Sequence, residues 1–207
     1  MNKENILFIG ANDMREIENY KDKYKRGFFI EPIPEVFEIL KKNLEKCNET
    51  YQTEYQPLQY LITNEDDKET EFHIYGENNK KKETNFGNNG ASSSIFQKND
   101  KYFWENCDCN KSIFIKSIRM NTLIKRLNIN IDNFDILVDV QGAELEVLKS
   151  FDNYINNIKS IKIEISKVPY YKNGVLFDEL NNFLNSKNFY TKDIINKNHM
   201  DVTYIKN

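Results

Sequence analysis

The sequence predicts an α/β fold of the doubly wound kind, a mostly parallel sheet with helices on both faces and an antiparallel hairpin at its C-terminal end. Three observations carry this. Short apolar runs end at Gly10, Glu31 and Asp139, each followed by a stretch able to form a helix. Strand and helix patterns alternate along most of the chain, which right-handed crossovers turn into a parallel sheet covered on both sides. Near the end, two strand-like runs stand too close together for a crossover, so a hairpin must join them. The length of 207 residues suits one domain over residues 1–207.

Residues 5–9, Asn-Ile-Leu-Phe-Ile, form the first buried strand and deliver the chain into a loop at Gly10. A short helix is expected from Met14 to Tyr24; Gly27 then punctuates, and Phe28-Phe29-Ile30 make the second strand, ending at Glu31. Pro34 suits the first turn of a helix, where its missing N–H costs nothing, and Val36, Phe37, Leu40 and Leu44 recur at helical spacing up to Cys47. Residues 56–63 and 71–75 read as two strands around the turn-like Asn64-Glu65-Asp66-Asp67. Residues 76–94 are Asn-, Lys-, Gly- and Ser-rich without a period, and are expected to form a flexible loop or lid with Gly87 and Gly90 as hinges. Residues 112–118 alternate as a strand, Asn121 caps a helix through Leu127, and residues 134–138 form a buried strand ending at Asp139. Leu145, Val147, Leu148 and Phe151 mark a helix. Residues 161–166 alternate Ile with polar residues, residues 177–186 supply the next helix, and residues 189–195 and 202–205 form the hairpin.

Composition narrows the function. Apolar residues at 39% and charged ones at 29% describe a globular chain, and a net charge of −3 argues against holding polyanions by Coulomb attraction. The runs Lys41-Lys42 and Lys80-Lys81-Lys82 read as solvated faces. The three cysteines, Cys47, Cys107 and Cys109, lack paired CxxC spacing, so neither a disulfide framework nor a metal site is expected, and Cys107-Asp108-Cys109 reads as free thiols in a loop. There is no apolar span of about 20 residues, and the start MNKEN lacks the order of a signal peptide. A cytoplasmic location is expected.

In an open α/β sheet the ligand lies outside the carboxyl ends of the strands, where strand order reverses. Gly10-Ala11-Asn12-Asp13, Glu31-Pro32 and Asp139-Val140-Gln141-Gly142 follow three strands. Gly10 allows close approach of backbone to ligand, and Glu31, 31 − 10 = 21 residues later, has the spacing of a carboxylate that accepts hydrogen bonds from ribose hydroxyls. The glycines a pyrophosphate would need are absent after Gly10, which disfavours a dinucleotide. S-adenosylmethionine carries no phosphate, so one glycine suffices, with Asn12 and Asp13 meeting its amino-acid portion.

The segment Asp135-Ile136-Leu137-Val138-Asp139-Val140-Gln141-Gly142-Ala143-Glu144, continuing to Leu148, is similar to the signature of the FkbM family of methyltransferases. Also similar are Ile9 to Asp13, Ile30 to Leu40, the Ser92-Ser93-Ser94 cluster and Ile163-Glu164-Ile165, in an order running from residue 6 to about residue 190. Met14 stands where many members carry a second Gly, and Phe8 where many carry an acidic or amide residue. The resemblance implies a class I, Rossmann-like methyltransferase with a seven-stranded sheet, S-adenosylmethionine as cofactor, and O-methylation of a sugar, glycan or related small-molecule acceptor.

Methyl transfer from a sulfonium needs donor and acceptor held in line and water excluded, with a base near the acceptor oxygen. Asp139 is the first candidate beside the methyl group, followed by Glu144 and Glu164; Glu144, in the first turn of a helix, also suits the helix dipole. Ser92, Ser93 and Ser94 offer hydroxyls to a polar substrate. His73 and His199 read as surface or strand histidines. Three other readings stand beside this one: a nicotinamide-binding reductase, a non-catalytic module of the same fold, and a methyltransferase acting on RNA, for which no basic, aromatic-rich stripe is visible.

Overall fold

The computed structural model describes residues 4–77, 90–103 and 107–207. Most of the expected lid, including Lys80-Lys81-Lys82 and Gly87, lies outside the described residues. The elements follow in chain order: β1 (Glu4–Ile9), β2 (Tyr24–Ile30), α1 (Pro34–Tyr51), β3 (Glu54–Leu58), β4 (Leu61–Ile62), β5 (Glu69–Glu77) and β6 (Cys107–Ile118). Then come α2 (Met120–Leu127), β7 (Phe134–Val138), α3 (Glu144–Ser150), β8 (Ser160–Ser166), α4 (Phe177–Ser186), β9 (Phe189–Thr191) and β10 (His199–Lys206).

Seven strands form one sheet in the order β3-β2-β1-β7-β8-β10-β9. The pairs β1–β2, β2–β3, β1–β7 and β7–β8 are parallel, and β10 runs antiparallel to both β8 and β9. The expected reversed strand is therefore β10, wedged between β8 and β9. Strand order reverses between β1 and β7, which places the switch point beside Gly10 and Asp139. A second sheet, β4-β6-β5, adds Phe72 and Ile74 to a cluster with Ile33 and Val36.

Alternation along each strand builds two cores. Leu7, Ile9, Ile136, Val138, Ile161 and Ile163 face α2, α3 and α4 through Leu123, Leu148 and Leu184. Ile6, Phe29, Tyr55 and Leu137 face α1 through Leu40 and Leu44 on the opposite side. Each such side chain contributes roughly 1.5–3 kcal/mol when fully buried. Asp135, the first carboxylate of the motif ending in Asp139, lies at the opposite end of β7. There it accepts from Lys23 Nζ at 2.6 Å and from the Tyr24 hydroxyl at 2.8 Å, as a structural clamp.

Several boundaries differ from the sequence reading. The helix expected from Met14 to Tyr24 is a single 3-10 turn, Ile17–Asn19, because Asn12 and Met14 adopt left-handed φ of 49° and 44° and Tyr24 already pairs with Glu4 in the sheet. Gly27 lies within β2. The strand expected over residues 56–63 is two: β3 pairs with β2, and β4 crosses to β6 in the other sheet, a change of partner that no periodicity records. β6 begins at Cys107, five residues early, and a register irregularity opposite Ile74 and Tyr75 interrupts the alternation that would reveal it. Cys107 is thus a buried strand thiol, not a loop thiol. α2 begins at Met120, so Asn121 sits inside the first turn and donates to Asp152 Oδ2 at 2.5 Å instead of capping. β9 stops at Thr191, leaving Ile194 exposed, while β10 starts at His199 because β8 extends to Ser166 beside it.

Candidate active site

A cleft opens at the switch point, with about 640 Å³ of empty space counted out to its mouth. That is within the range of small-molecule sites. Gly10, Asn12, Glu31, Pro32, Asp139 and Gln141 line it, with Tyr60, Leu61, Ile62, Phe72 and Ile95 as apolar walls. Of the expected cofactor-binding residues, Ala11 and Asp13 are turned away from it. Ala11 is packed under the sheet with Met14 and Phe29. Asp13 is buried against the Arg15 guanidinium, and its carbonyl accepts from Asn43 Nδ2 of α1 at 2.6 Å.

The loop after β1 is held from both sides. The Gly10 and Ala11 amides donate to the Ile30 carbonyl at 3.0 and 2.9 Å, drawing β1 and β2 together beyond their last pair. Gly10 has φ of 83°, and a Cβ there would stand 1.8 Å from the Asp139 carbonyl oxygen. The glycine is therefore required by the neighbouring backbone as well as by any ligand. Glu31 Oε2 accepts from the Asn12 amide at 3.0 Å and Oε1 from the Ile33 amide at 2.8 Å. Only 4% of Glu31 is exposed, and burial raises its carboxyl to about 7 against the pull of those two amides. Each oxygen keeps a lone pair, so the group can still accept from neighbouring hydroxyls in the cleft.

The loop after β7 is braced by Glu144, whose Oε1 accepts from the Val140 and Gly142 amides at 3.3 and 3.0 Å. Glu144 is 3% exposed, does not line the cleft, and is raised to about 7 by burial. Gln141, at φ 56°, gathers the remaining polar groups. Its Nε2 donates to Asp139 Oδ1 and to Glu164 Oε2, both at 2.7 Å, and its Oε1 lies 2.9 Å from the Tyr171 hydroxyl. Glu164 Oε1 lies 2.9 Å from His199 Nε2. Burial and the Glu164 charge push Asp139 well above the usual carboxylate range; burial and the charges of Glu144 and Asp201 push Glu164 up to about 8. A carboxyl raised in this way is, once ionised, a stronger base than an ordinary carboxylate and so suited to taking up a proton.

The three serines have three different places. Ser93 lines the cleft, its Oγ accepting from the Tyr75 amide at 3.2 Å. Ser94 is fully buried, donating to the Gln141 carbonyl at 2.7 Å and accepting from the Phe96 amide at 3.0 Å. Ser92 offers its carbonyl to the Tyr171 hydroxyl at 2.7 Å. Ser92 and Ser94 thus tie the segment to the β7 loop, and only Ser93 fronts the cleft. His73 is buried on β5 with Nδ1 3.0 Å from Ser112 Oγ. Tyr171 and His199 are the network members that the sequence reading did not assign. Tyr171 lies in an irregular loop and His199 at a strand start, and neither position carries a local signal.

The methyltransferase FkbM domain matches residues 9–190, most of the chain. The chain belongs to the FkbM methyltransferase family. The cofactor of methyltransferases in this family is S-adenosylmethionine. Among solved structures, an FkbM methyltransferase from Methylobacillus flagellatus KT superposes with a TM-score of 0.55 at 16% identity, over 98% of this chain and 43% of that one. TrmK of M. capricolum, solved in complex with S-adenosylhomocysteine, gives 0.50 at 13% identity, over 100% of this chain and 63% of that one. At these identities the likeness is one of fold, and the FkbM chain spans less than two thirds of either neighbour. A comparison with curated proteins gives no significant match.

Proposed function

We propose that the protein transfers a methyl group from S-adenosylmethionine to a hydroxyl of a sugar, glycan or related small-molecule acceptor. The observation that carries the donor half is Glu31. It is a buried carboxyl at the end of β2 that lines the cleft, with the Gly10 turn beside it. The residues present fit the donor. Glu31 accepts from vicinal ribose hydroxyls, the Gly10 turn lets the ligand approach the backbone, and Tyr60, Leu61, Ile62 and Phe72 exclude water around a purine. Asn12, Pro32 and Gln141 complete the wall, and Asp139 stands where the reacting end would lie.

Bound S-adenosylmethionine supplies an electrophilic methyl group on a sulfonium. The chain's own contribution is orientation and a place for the acceptor's proton, for which Asp139 and Glu164 are the candidates. Glu144 serves instead by holding the Val140 and Gly142 amides. The FkbM resemblance and the net charge of −3 support a hydroxyl acceptor over RNA. The test is calorimetry with S-adenosylmethionine, followed by labelled methyl transfer into separated saccharide, lipid and RNA fractions. Label appearing in the RNA fraction alone would reverse the choice of acceptor, and an absence of donor binding would remove the enzyme.

A further inference from the structure

Resting on the reading above, we infer that the acceptor sits in a second hollow, on the sheet face formed by Phe8, Tyr20, Lys162 and Asp201, with Asp139 and Glu164 as its inner wall. This hollow holds about 400 Å³ of empty space counted out to its mouth, enough for a small ring. Asp139 lines both it and the donor cleft, so a ligand in one meets a ligand in the other at that carboxyl. A different crevice, lined from residues 165–176, holds about 320 Å³ and adjoins the donor cleft at Gln141, not at Asp139. Gln141 stands between them, its amide tied to Asp139, Glu164 and Tyr171.

The lining states the ligand's chemistry. Phe8 and Tyr20, tilted at 6.2 Å between ring centroids, present aromatic surface of the kind that packs against C–H groups. The Tyr20 hydroxyl and the Lys162–Asp201 pair, 2.7 Å apart, offer donors and acceptors at the rim. Three carboxyls, Asp139, Glu164 and Asp201, face one ammonium that Asp201 already holds. Lys162 is the one cation among the described lining residues and is already paired with Asp201, so a phosphate finds no counterion there and the hollow selects an uncharged polyhydroxy compound over a phosphorylated or nucleotide-linked one.

The geometry also assigns the proton. As the acceptor oxygen bonds to the methyl carbon, the carbon–sulfur bond breaks and its electron pair stays on sulfur, while the hydroxyl proton passes to Glu164 in chains where that group is ionised, so transfer rises as pH approaches 8. One positive and one negative charge disappear together, which a site shielded from water favours. His199, 2.9 Å from Glu164 Oε1 and set edge-on against the Tyr170 ring at 5.4 Å, acts through Glu164 and is a positioning residue.

The test uses the full chain with two readouts: calorimetric titration with S-adenosylhomocysteine, and labelled methyl transfer to a panel of uncharged methyl hexosides beside nucleotide-diphosphate hexoses. Tyr20→Trp fills the hollow, and Lys162→Met changes its rim at a half-buried position. Both are expected to bind S-adenosylhomocysteine within about 2-fold of the parent, while kcat/KM for the hexosides falls by about 10-fold or more. Glu164→Gln should lower kcat, and His199→Gln should lower kcat at unchanged KM. Parental transfer rates in Tyr20→Trp and Lys162→Met overturn the site. So does a preference for the nucleotide-linked sugars, or a parent that binds S-adenosylhomocysteine and methylates no hexoside. A parent that does not bind S-adenosylhomocysteine takes down the methyltransferase reading and this site together.

Discussion

Glu31 and Glu144 each accept two backbone N–H groups beside a strand end, the first at 2.8 and 3.0 Å and the second at 3.0 and 3.3 Å. Both are almost wholly buried, and burial raises both to about 7. Both serve loops with left-handed residues: Gly10, Asn12 and Met14 in one, Gln141 and Gly142 in the other. Yet Glu31 lines the donor cleft and Glu144 does not. The same device serves a ligand in one loop and the loop's own shape in the other. What separates them is position, since residue type and burial are alike: Glu31 directly follows β2 and accepts from the neighbouring β1 loop, whereas Glu144 opens α3 and accepts only from the loop before it.

The largest effect expected from breaking this symmetry is at the glycines. In Gly10→Val the new side chain meets the Asp139 backbone, which cannot yield as a flexible side chain would. A loss of about 4 kcal/mol or more in urea unfolding is expected. Gly142→Ala, whose Cβ would lie 3.2 Å from Tyr171 Cδ2 at φ 99°, should lose only about 1–2 kcal/mol. Equal losses would mean that the two turns are equally constrained.

The carboxyls come next. Glu144→Ala strands two amides and should lower stability by about 2–4 kcal/mol while the folded fraction binds S-adenosylmethionine nearly as the parent does. Glu31→Ala frees the Asn12 and Ile33 amides too, and in addition should weaken donor binding by about 1.5–3 kcal/mol. Calorimetry on both variants tests the division; similar affinity losses would erase it.

A smaller effect follows from their shared burial. Glu31, Glu144 and Glu164 are held above their ordinary value of 4.5, near 7, 7 and 8. Between those limits the folded chain binds more protons than the unfolded one, so stability is full below about pH 4.5 and falls as pH rises toward 8. The ligand-free Tm should be lower near pH 8.5 than near pH 5.5. Glu144→Gln should flatten that slope, and a slope of opposite sign would show that these carboxyls are ionised in the folded state.

The smallest effects distinguish the serines. Ser94→Ala removes a buried hydroxyl that the Gln141 carbonyl and the Phe96 amide both use, and should cost about 1–2 kcal/mol of stability. Ser93→Ala leaves the Tyr75 amide beside the open cleft and should cost about 0.5 kcal/mol, with a fall in methyl transfer. A larger stability loss at Ser93 would exchange their roles.

Much of this site was readable beforehand because it sits at the ends of apolar runs. Leu7 to Ile9 and Ile136 to Val138 mark their own strands, and a chain leaving a parallel strand must turn at its carboxyl end. The failures have a common cause. Residues 59 and 60 carry the chain between two sheets, Asn12 and Met14 undo an expected helix, and Ser94 is held by His73 of β5 and the Gln141 carbonyl of the β7 loop. Each depends on a partner that is remote in sequence.

The amino-acid sequence by itself determined the alternating architecture, the terminal hairpin, the Gly10–Glu31 spacing and the segment from Asp135 to Glu144, because short-range periodicity and turn chemistry suffice for them. Tertiary structure alone decided that Ala11 and Asp13 turn from the cleft, that Glu144 braces a loop, and that Asp139, Gln141, Glu164, Tyr171 and His199 meet. The physical reason is register. Parallel pairing of Leu137 with Lys162 and antiparallel pairing of Glu164 with Asp201 bring the β7 loop, β8 and β10 to one end of the sheet, and no stretch of the chain records that pairing locally.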